Sequence, residues 1–220
     1  MPSIEAARQW YPEYEPVHGF DHVLRVLHLA TWLGEKLAAD LEILKAAALL
    51  HDASGAHPEG EEGRESHEHT SAKFAVEVLL AEGWEQEAIR AVEHCIRAHR
   101  YRGQIKPETI EAQILFDADK LDVIGAFGVS RTIGFAIQAG QPIYAEPSAQ
   151  FLESGIEISG EAHSAYHEYL YKLVKVKQRL YTTPAQELAS SRFKILKKFF
   201  DQLNLEARCA DVDDRSRKAD

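Results

Sequence analysis

The chain has 220 residues and a mass of 24.7 kDa, enough for one domain to bury its own hydrophobic core. Its 45% hydrophobic and 27% charged residues exclude an intrinsically disordered protein. The formal net charge of −10 excludes a broad cationic surface for binding nucleic acid, although a local pocket for a small anion is still compatible with it.

The first part of the chain predicts two helices and a loop. Residues 20–37 repeat apolar side chains every three or four positions, which is typical of an amphipathic helix. Residues 41–50 are almost wholly apolar and end at His51 and Asp52, so this helix is expected to lie at the centre of the fold. Glycine, proline and glutamate dominate residues 54–68, which predicts a mobile loop.

Helical patterns continue through the middle of the chain. A helix capped at Thr70 or Ser71 and a second helix over residues 85–99 are predicted. Pro107 opens another helix, and apolar residues cover every face of it over residues 110–127. We therefore expect this helix to be a second central element, surrounded by protein.

The last part of the chain predicts a long excursion followed by two helices. Residues 140–164 are rich in glycine, proline and serine and predict a surface loop or flap able to cover a site. Helices are expected over 165–181 and 184–205, and the charged residues 206–220 are expected to fray. No segment alternates like a strand, so the predicted fold class is all-α, with one domain over residues 1–205.

Nothing in the sequence predicts a membrane partner. The longest uncharged run, residues 132–145, is shorter than the roughly 18 residues that span a bilayer. Residues 1–16 contain no apolar block of the kind found in export signals. Two cysteines fit a reducing compartment better than a disulfide framework. We expect a cytoplasmic protein.

Histidines and aspartates, which commonly bind metals, occur in or beside the apolar helices, where burial of a polar group costs free energy. His51 and Asp52 close one buried helix, Asp119 lies in another, and His22 lies on the flank of an apolar stripe. A buried carboxylate must be paired, hydrogen-bonded or metal-bound, because isolated burial costs several kcal/mol. Periodicity alone places Asp117, not Asp119, on the apolar stripe, so it does not select the fourth ligand.

Four sequence blocks occur in one order: His18-Gly-Phe-Asp-His22, Ala48-Leu-Leu-His51-Asp52, Ile96-Arg-Ala-His99-Arg100 and Asp117-Ala-Asp119-Lys-Leu-Asp122-Val-Ile-Gly125-Ala126. Together they resemble the HD superfamily of metal-dependent phosphohydrolases, and more narrowly small bacterial HD hydrolases, some of which act on nucleoside triphosphates. The resemblance extends over roughly residues 14–202. It implies a helical HD-domain bundle with a metal site between its central helices. The implied metal ligands are His22, His51, Asp52 and Asp119.

This ligand set defines the expected chemistry. Two imidazoles and two carboxylates suit one Mn²⁺, Mg²⁺, Co²⁺, Fe²⁺ or Ni²⁺ ion per chain. Water bound to the cation is then the nucleophile, so no serine or cysteine nucleophile is needed. The sequence does not identify the general base of the reaction. No acidic residue stands close after Asp52 to position the water, because Ser54, Gly55 and Ala56 occupy these positions and Glu59 is the first acid.

Residues close to these ligands in sequence are expected to support them or to bind substrate. Lys120 directly follows Asp119, His99 continues the apolar stripe of its helix, and arginines within residues 97–102 supply charge for phosphate. His94 is included only because the similar sequences also carry histidine there. The full set is His18, His94, His99, Arg100, Lys120 and Asp122.

The first functional hypothesis is hydrolysis of a small nucleotide-like substrate, a (deoxy)nucleoside triphosphate yielding monophosphate and pyrophosphate. Alternatives are a nucleoside monophosphate phosphatase and a nucleotide-sensing module without catalysis. A further alternative is a dinuclear-iron oxygenase on the same fold, because His69 and His94 are spaced like the histidines that hold a second metal in some HD proteins. No nucleic-acid partner is expected, and a homodimer stays open.

Overall fold

The computed structural model describes residues 1–12, 19–53, 67–100, 103 and 105–212. These residues form α-helices and a 3₁₀ segment and no strand, which confirms the all-α fold class. The α-helices are α1 (Ile4–Arg8), α2 (Phe20–Leu37), α3 (Leu41–Leu50), α4 (His67–Ala81), α5 (Gln86–Ala98), α6 (Ile110–Asp122), α7 (Gly125–Gln138), α8 (Ala149–Ser154), α9 (Ala165–Tyr171) and α10 (Thr183–Ala207), and the 3₁₀ segment is Leu173–Arg179. Within the described ranges no helix is long and apolar enough to cross a membrane.

The chain divides into two compact units. The first contains Met1–Asp122 and Arg179–Leu188, and the second contains Val123–Gln178 and the residues from Ala189 onward. The single domain over residues 1–205 stays a prediction.

The helices that carry the candidate ligands pack around α3 in the first unit. Helix α2 packs against α3 and α6, α3 also packs against α4 and α5, and α5 packs against α6. Residues 46–50 of α3 are all buried, which confirms the predicted central position of this helix. Asp40 caps the start of α3, and its carboxylate accepts the backbone N–H groups of Glu42 and Ile43 at 2.9 and 3.2 Å.

Several predicted helix boundaries are wrong. The single helix expected over residues 110–127 is two helices, because α6 ends at Asp122 and α7 begins at Gly125. Gly125 has a φ of +79°, in the left-handed region that favours glycine, and this conformation interrupts the helix. Helix α4 already includes His67, so it begins before the predicted cap at Thr70 or Ser71. The predicted loop from residue 54 lies outside the described residues as far as residue 66.

The second unit contains the predicted excursion over residues 140–164. It is irregular except for α8, which Ser148 caps by accepting the Phe151 amide at 3.0 Å. The excursion is therefore confirmed as mainly non-helical, while its role as a flap stays a prediction. The predicted helix over 165–181 is the shorter α9 followed by the 3₁₀ segment.

Candidate metal centre

His51 occupies the C-terminal end of α3, where the last carbonyl groups have no partner within the helix. Its Nδ1 lies 2.8 Å from the carbonyl oxygen of Ala48. Because a carbonyl only accepts hydrogen bonds, Nδ1 carries the proton and the Nε2 lone pair is directed away from the helix. The neighbouring Leu49 carbonyl accepts the Tyr11 hydroxyl at 2.9 Å. The end of α3 therefore fixes the tautomer of His51.

His22 lies in the first turn of α2 and is fixed by a carboxylate. Its Nδ1 is 2.7 Å from Oδ2 of Asp122, and this carboxylate also accepts Nε and Nη2 of Arg25 at 2.7 and 3.0 Å. Because this carboxylate accepts the guanidinium N–H groups as well, Nδ1 of His22 donates to it and Nε2 is left to face the centre. Such carboxylate–histidine pairs orient metal-binding imidazoles.

The four predicted ligands come together in this structure. The Nε2 atoms of His22 and His51 are 3.4 Å apart. Asp52 Oδ2 lies 3.3 Å from Nε2 of His51 and 3.9 Å from Nε2 of His22, and Asp119 Oδ1 lies 3.4 Å from Nε2 of His22. All four side chains are at most 10% exposed. Two imidazole Nε2 atoms and two carboxylates converge, and this donor set fits a cation.

The histidines and carboxylates of this cluster stabilise each other's charged forms. Burial lowers the pKa of His51, but Asp52 and Asp119 raise it to about 9. Burial raises the pKa of Asp52, yet His51 and His99 hold it well below its usual value. Moreover, Asp52 Oδ1 is buried and has no hydrogen-bond partner within the described part of the chain. The centre therefore attracts positive charge and has acceptor capacity left over.

Lys120 contacts the candidate ligand that precedes it. Its Nζ contacts Oδ2 of Asp119, and it also lies 5.5 Å from the centre of the Phe116 ring. Burial raises the pKa of Asp119, but Lys120 and His22 hold it well below its usual value. The lysine expected to bind phosphate thus adds positive charge beside the cluster.

Asp117, which periodicity placed on the apolar stripe, has a different environment. Its carboxylate accepts the backbone N–H groups of Tyr181 and Thr182 at 2.9 and 2.8 Å and the Thr182 hydroxyl at 2.6 Å. These contacts fix the segment that enters α10. Asp119, the residue indicated by the family resemblance, is the one that lies at the cluster.

A second donor group shares Asp52 with the first. Nε2 of His99 and Nε2 of His67 lie 3.5 and 3.7 Å from Asp52 Oδ1, and these three residues are close enough together to hold an ion. Nδ1 of His99 donates to the Ile96 carbonyl at 2.5 Å, as His51 does at the end of α3. The expected second pair was His69 and His94, but the structure instead brings His67 and His99 close to Asp52.

The two residues of that expected pair lie elsewhere. His69 is exposed on α4. Nε2 of His94 accepts the backbone N–H of Glu108 at 3.0 Å. This backbone hydrogen bond accounts for the position of His94. A role for His94 near the substrate stays a prediction.

Arg100 forms an ion pair that the sequence did not indicate. Its Nη1 lies 3.2 Å from Oε1 of Glu68, whose side chain is 7% exposed. The prediction that the loop extends to Glu68 is therefore wrong, because Glu68 is a buried residue of α4, where Arg100 compensates its charge. His18 and Arg102, which were also expected near the site, lie outside the described residues.

Three residues of the centre were missed by the sequence reasoning: Arg25, His67 and Glu68. Arg25 follows His22 by three positions in a helix, so the spacing places both on one side, and this signal was available. His67 and Glu68 are brought to the centre by the packing of α4, which their local sequence does not reveal.

Known proteins resemble this chain in sequence and in fold. The family model of the HD domain matches residues 19–124, the part of the chain that contains the four predicted ligands. The uncharacterized protein YpgQ of Bacillus subtilis is 33% identical over 191 residues, covering 84% of this chain and 82% of YpgQ.

Solved structures share the fold over nearly the whole chain. The crystal structure of Bacillus subtilis YpgQ in complex with ADP has a TM-score of 0.70 at 28% identity, covering 93% of this chain and 97% of the other. A Lactobacillus plantarum protein has a TM-score of 0.74 at 25% identity, covering 94% and 95%. A Bacillus thuringiensis protein described as an HD-superfamily hydrolase has a TM-score of 0.67 at 25% identity, covering 93% and 94%.

Proposed function

Because this chain belongs to the HD domain family of metal-dependent phosphohydrolases, we propose that it hydrolyses a small nucleotide-like phosphate at the centre formed by His22, His51, Asp52 and Asp119. The observation that carries this proposal is the convergence of the Nε2 atoms of two histidines with two carboxylates, while the Nδ1 atom of each ring is held by a hydrogen bond on the far side. These four residues would hold one divalent cation, and Mn²⁺ is our first choice.

A divalent cation held there supplies a Lewis acid for phosphoryl transfer and lowers the pKa of water. The chain's own residues position and compensate charge around it. Asp122 and Arg25 orient His22, and the Ala48 carbonyl orients His51. The ammonium group of Lys120, in contact with Asp119, adds positive charge where the phosphate oxygens of a substrate would lie.

The proposed substrate is a (deoxy)nucleoside triphosphate. In the proposed reaction, water adds to the α-phosphorus, the bond between this phosphorus and the α–β bridging oxygen breaks, and monophosphate and pyrophosphate are released. The nucleotide class of this substrate is supported by YpgQ, a relative with a crystal structure in complex with ADP. A nucleoside monophosphate phosphatase is the alternative for the same centre.

The deciding experiment is a panel of nucleoside mono-, di- and triphosphates offered to chelator-treated protein with Mn²⁺, Mg²⁺ or Co²⁺. Release of pyrophosphate from triphosphates supports the first proposal, and release of phosphate from monophosphates supports the alternative. Nucleotide binding without turnover under any metal would instead identify a sensing module and overturn the catalytic proposal.

One specific observation favours a second candidate, a dinuclear-iron oxygenase. Asp52 Oδ1 lies between His67 and His99 and has no hydrogen-bond partner within the described part of the chain. Two bound iron equivalents, together with O₂ consumption, would support this function. In that case His67→Ala should reduce the bound iron from two equivalents to one, whereas His69→Ala, an exposed histidine of the same helix, should leave it at two.

A further inference from the structure

Tyr181 is an exposed aromatic residue between two buried neighbours. Its exposed fraction is 45%, whereas Leu180 and Thr182 are 4% and 5% exposed. The N–H groups of Tyr181 and Thr182 donate to the buried carboxylate of Asp117, and the Leu180 carbonyl accepts Nε2 of Gln186 at 2.8 Å. The backbone is thus fixed on both sides of a side chain that faces solvent.

The ring of Tyr181 packs against Phe116, which connects it to the candidate metal centre through Lys120. Its centroid is 5.2 Å from that of Phe116, and the two planes are at 87°. Phe116 is one helical turn before Lys120 on α6, and Nζ of Lys120 lies 5.5 Å from the Phe116 centroid and contacts Asp119. A continuous row of side chains therefore leads from a candidate metal ligand to an exposed aromatic ring.

A row of this kind matches the two ends of a nucleotide. Its charged end, at Lys120 and Asp119, suits phosphates accompanied by a cation, and its aromatic end suits a flat, weakly polar ring. Stacking on an aromatic side chain is favourable for every nucleobase, because each base presents a flat aromatic face. A fixed backbone reduces the entropy lost on binding, because the ring is already in position.

We propose that Tyr181 is the platform on which the nucleobase of the substrate stacks. This inference rests on the proposed function and adds to it a base subsite. The subsite is formed within the first unit by Tyr181 and Phe116, with Asp117 as the residue that positions it.

The test compares two ligands that differ only by an adenosine, α,β-methylene-ADP and methylenediphosphonate, each titrated calorimetrically with saturating Mn²⁺. Wild type should bind the nucleotide analogue more tightly than the bare diphosphonate. Tyr181→Ala should weaken binding of the analogue by roughly 5- to 150-fold, the range expected for loss of one stacked base. Binding of methylenediphosphonate should be unchanged.

Three further variants separate stacking from other effects. Tyr181→Phe keeps the ring and should bind the analogue like wild type, whereas Tyr181→Leu keeps an apolar contact with Phe116 and should show the same loss as Tyr181→Ala. Trp32→Ala removes an aromatic side chain that is 37% exposed in the same unit, and it should bind both ligands like wild type.

Two results would overturn the role of Tyr181 as a base platform if the protein still hydrolyses nucleotides, because the proposed function would then stand. One is equal affinity of wild type for the two ligands, and the other is undiminished binding of the analogue by both Tyr181→Ala and Tyr181→Leu. A wild-type protein that binds neither ligand and hydrolyses no nucleotide would overturn the proposed function and the platform with it.

Discussion

At the scale of single residues, the candidate metal centre depends on hydrogen bonds made by ring nitrogens that face away from it. Nδ1 of His51 donates to the Ala48 carbonyl, and Nδ1 of His22 donates to Asp122. Without these bonds each imidazole could carry its proton on Nε2, which would remove the lone pair that a cation needs. The supporting groups therefore contribute to cation affinity.

Removal of a proposed ligand should abolish cation binding. We expect Asp52→Ala and His51→Ala to lose the bound Mn²⁺ and all metal-dependent turnover, because each deletes one of the four proposed ligands. Metal content after gel filtration and turnover of the best nucleotide are the measurements. His69→Ala, which changes an exposed histidine, should retain both, and an Asp52→Ala protein that keeps its Mn²⁺ would contradict the assignment.

Weakening the support of His22 should have a smaller effect. Asp122→Asn removes the charge that orients His22 and pairs with Arg25, so we expect cation affinity to fall by about 10- to 100-fold without loss of the fold. The measurement is a Mn²⁺ titration beside a thermal unfolding curve. Arg90→Gln, a change at an exposed arginine on α5, serves as the control, and unchanged affinity in Asp122→Asn would refute the supporting role.

The sequence was sufficient to identify residues whose type is unusual for their position. His22, His51, Asp52 and Asp119 stood out because polar ligands interrupt apolar helices or end them, and the family resemblance selected Asp119 where periodicity did not. Glu68 and Arg100 could not be paired from sequence, because a charged residue beside a glutamate-rich loop looks solvent-exposed until tertiary packing buries it.

At the scale of elements, α6 has separate functions on its different sides. Asp119 and Asp122 face the centre and its support, whereas Asp117 accepts three hydrogen bonds from Tyr181 and Thr182. This arrangement explains why nearly every residue from 112 to 122 is buried although three of them are aspartates. Each carboxylate has its own partners.

Asp117→Ala should therefore destabilise the fold without changing the metal centre. It leaves two N–H groups and a hydroxyl without their acceptor, which we expect to cost about 2 kcal/mol of unfolding free energy. Urea unfolding measures this loss, and Mn²⁺ stoichiometry should stay at one. Asp21→Ala, at an exposed aspartate of α2, is the control for loss of charge, and loss of Mn²⁺ from Asp117→Ala would reassign the ligand.

Glu161 organises the irregular segment of the second unit. Its carboxylate accepts the N–H and hydroxyl of Ser148 at 2.7 Å each and the Ile158 N–H at 2.8 Å. These hydrogen bonds lower the pKa of Glu161 to about 2, and the bond from the Ser148 N–H has the largest effect. One carboxylate thus replaces regular secondary structure as the organiser of this segment.

This pKa predicts a dependence of stability on pH. The unfolded chain binds the Glu161 proton at a higher pH than the folded chain does, so its contribution is present above the unfolded pKa and is lost as pH falls towards 2. Thermal unfolding of Glu161→Gln should therefore vary less with pH over that acidic range than wild type. Glu87→Gln, on an exposed face of α5, should follow wild type, and identical slopes for all three proteins would contradict the prediction.

Helix existence was predictable from periodicity, but some ends were not. The apolar residues around all of 110–127 indicated continuous burial and concealed the break between Asp122 and Gly125. That break depends on a positive φ at a glycine, and the sequence pattern does not distinguish such a glycine from one inside a helix.

At the scale of the whole molecule, charge limits the kind of substrate. The net charge is −10, and the arginines expected to bind phosphate are partly neutralised, since Arg97 pairs with Glu93 and Arg100 with Glu68. These pairings weaken the electrostatic attraction for a polyanionic strand, while a small phosphate needs only local positive charge such as that of Lys120 at the candidate centre.

We therefore expect hydrolysis of free nucleotides and not of nucleic acid. Single-stranded DNA, RNA and nucleotides assayed in parallel with Mn²⁺ should show cleavage of the nucleotides alone, with little dependence of the rate on salt. The chelator-treated protein without added metal controls for contaminating nucleases. Strand cleavage at a rate comparable to that of the best nucleotide would overturn this prediction.

The histidines at the ends of α3 and α5 have a consequence for local dynamics. Each is held by a carbonyl three residues earlier, so fraying of the last helical turn releases the ring and removes its ordered lone pair. Helix ends open more readily than helix centres, so opening of the last turn of α3 should reduce the affinity of the proposed cation site, and opening of the last turn of α5 should reduce the affinity for a second ion at His67 and His99. Conversely, a cation at either site should slow hydrogen exchange of the amides in the corresponding turn, since it binds only the closed form. The melting of each helix end and the occupancy of the adjacent site are thus one coupled equilibrium.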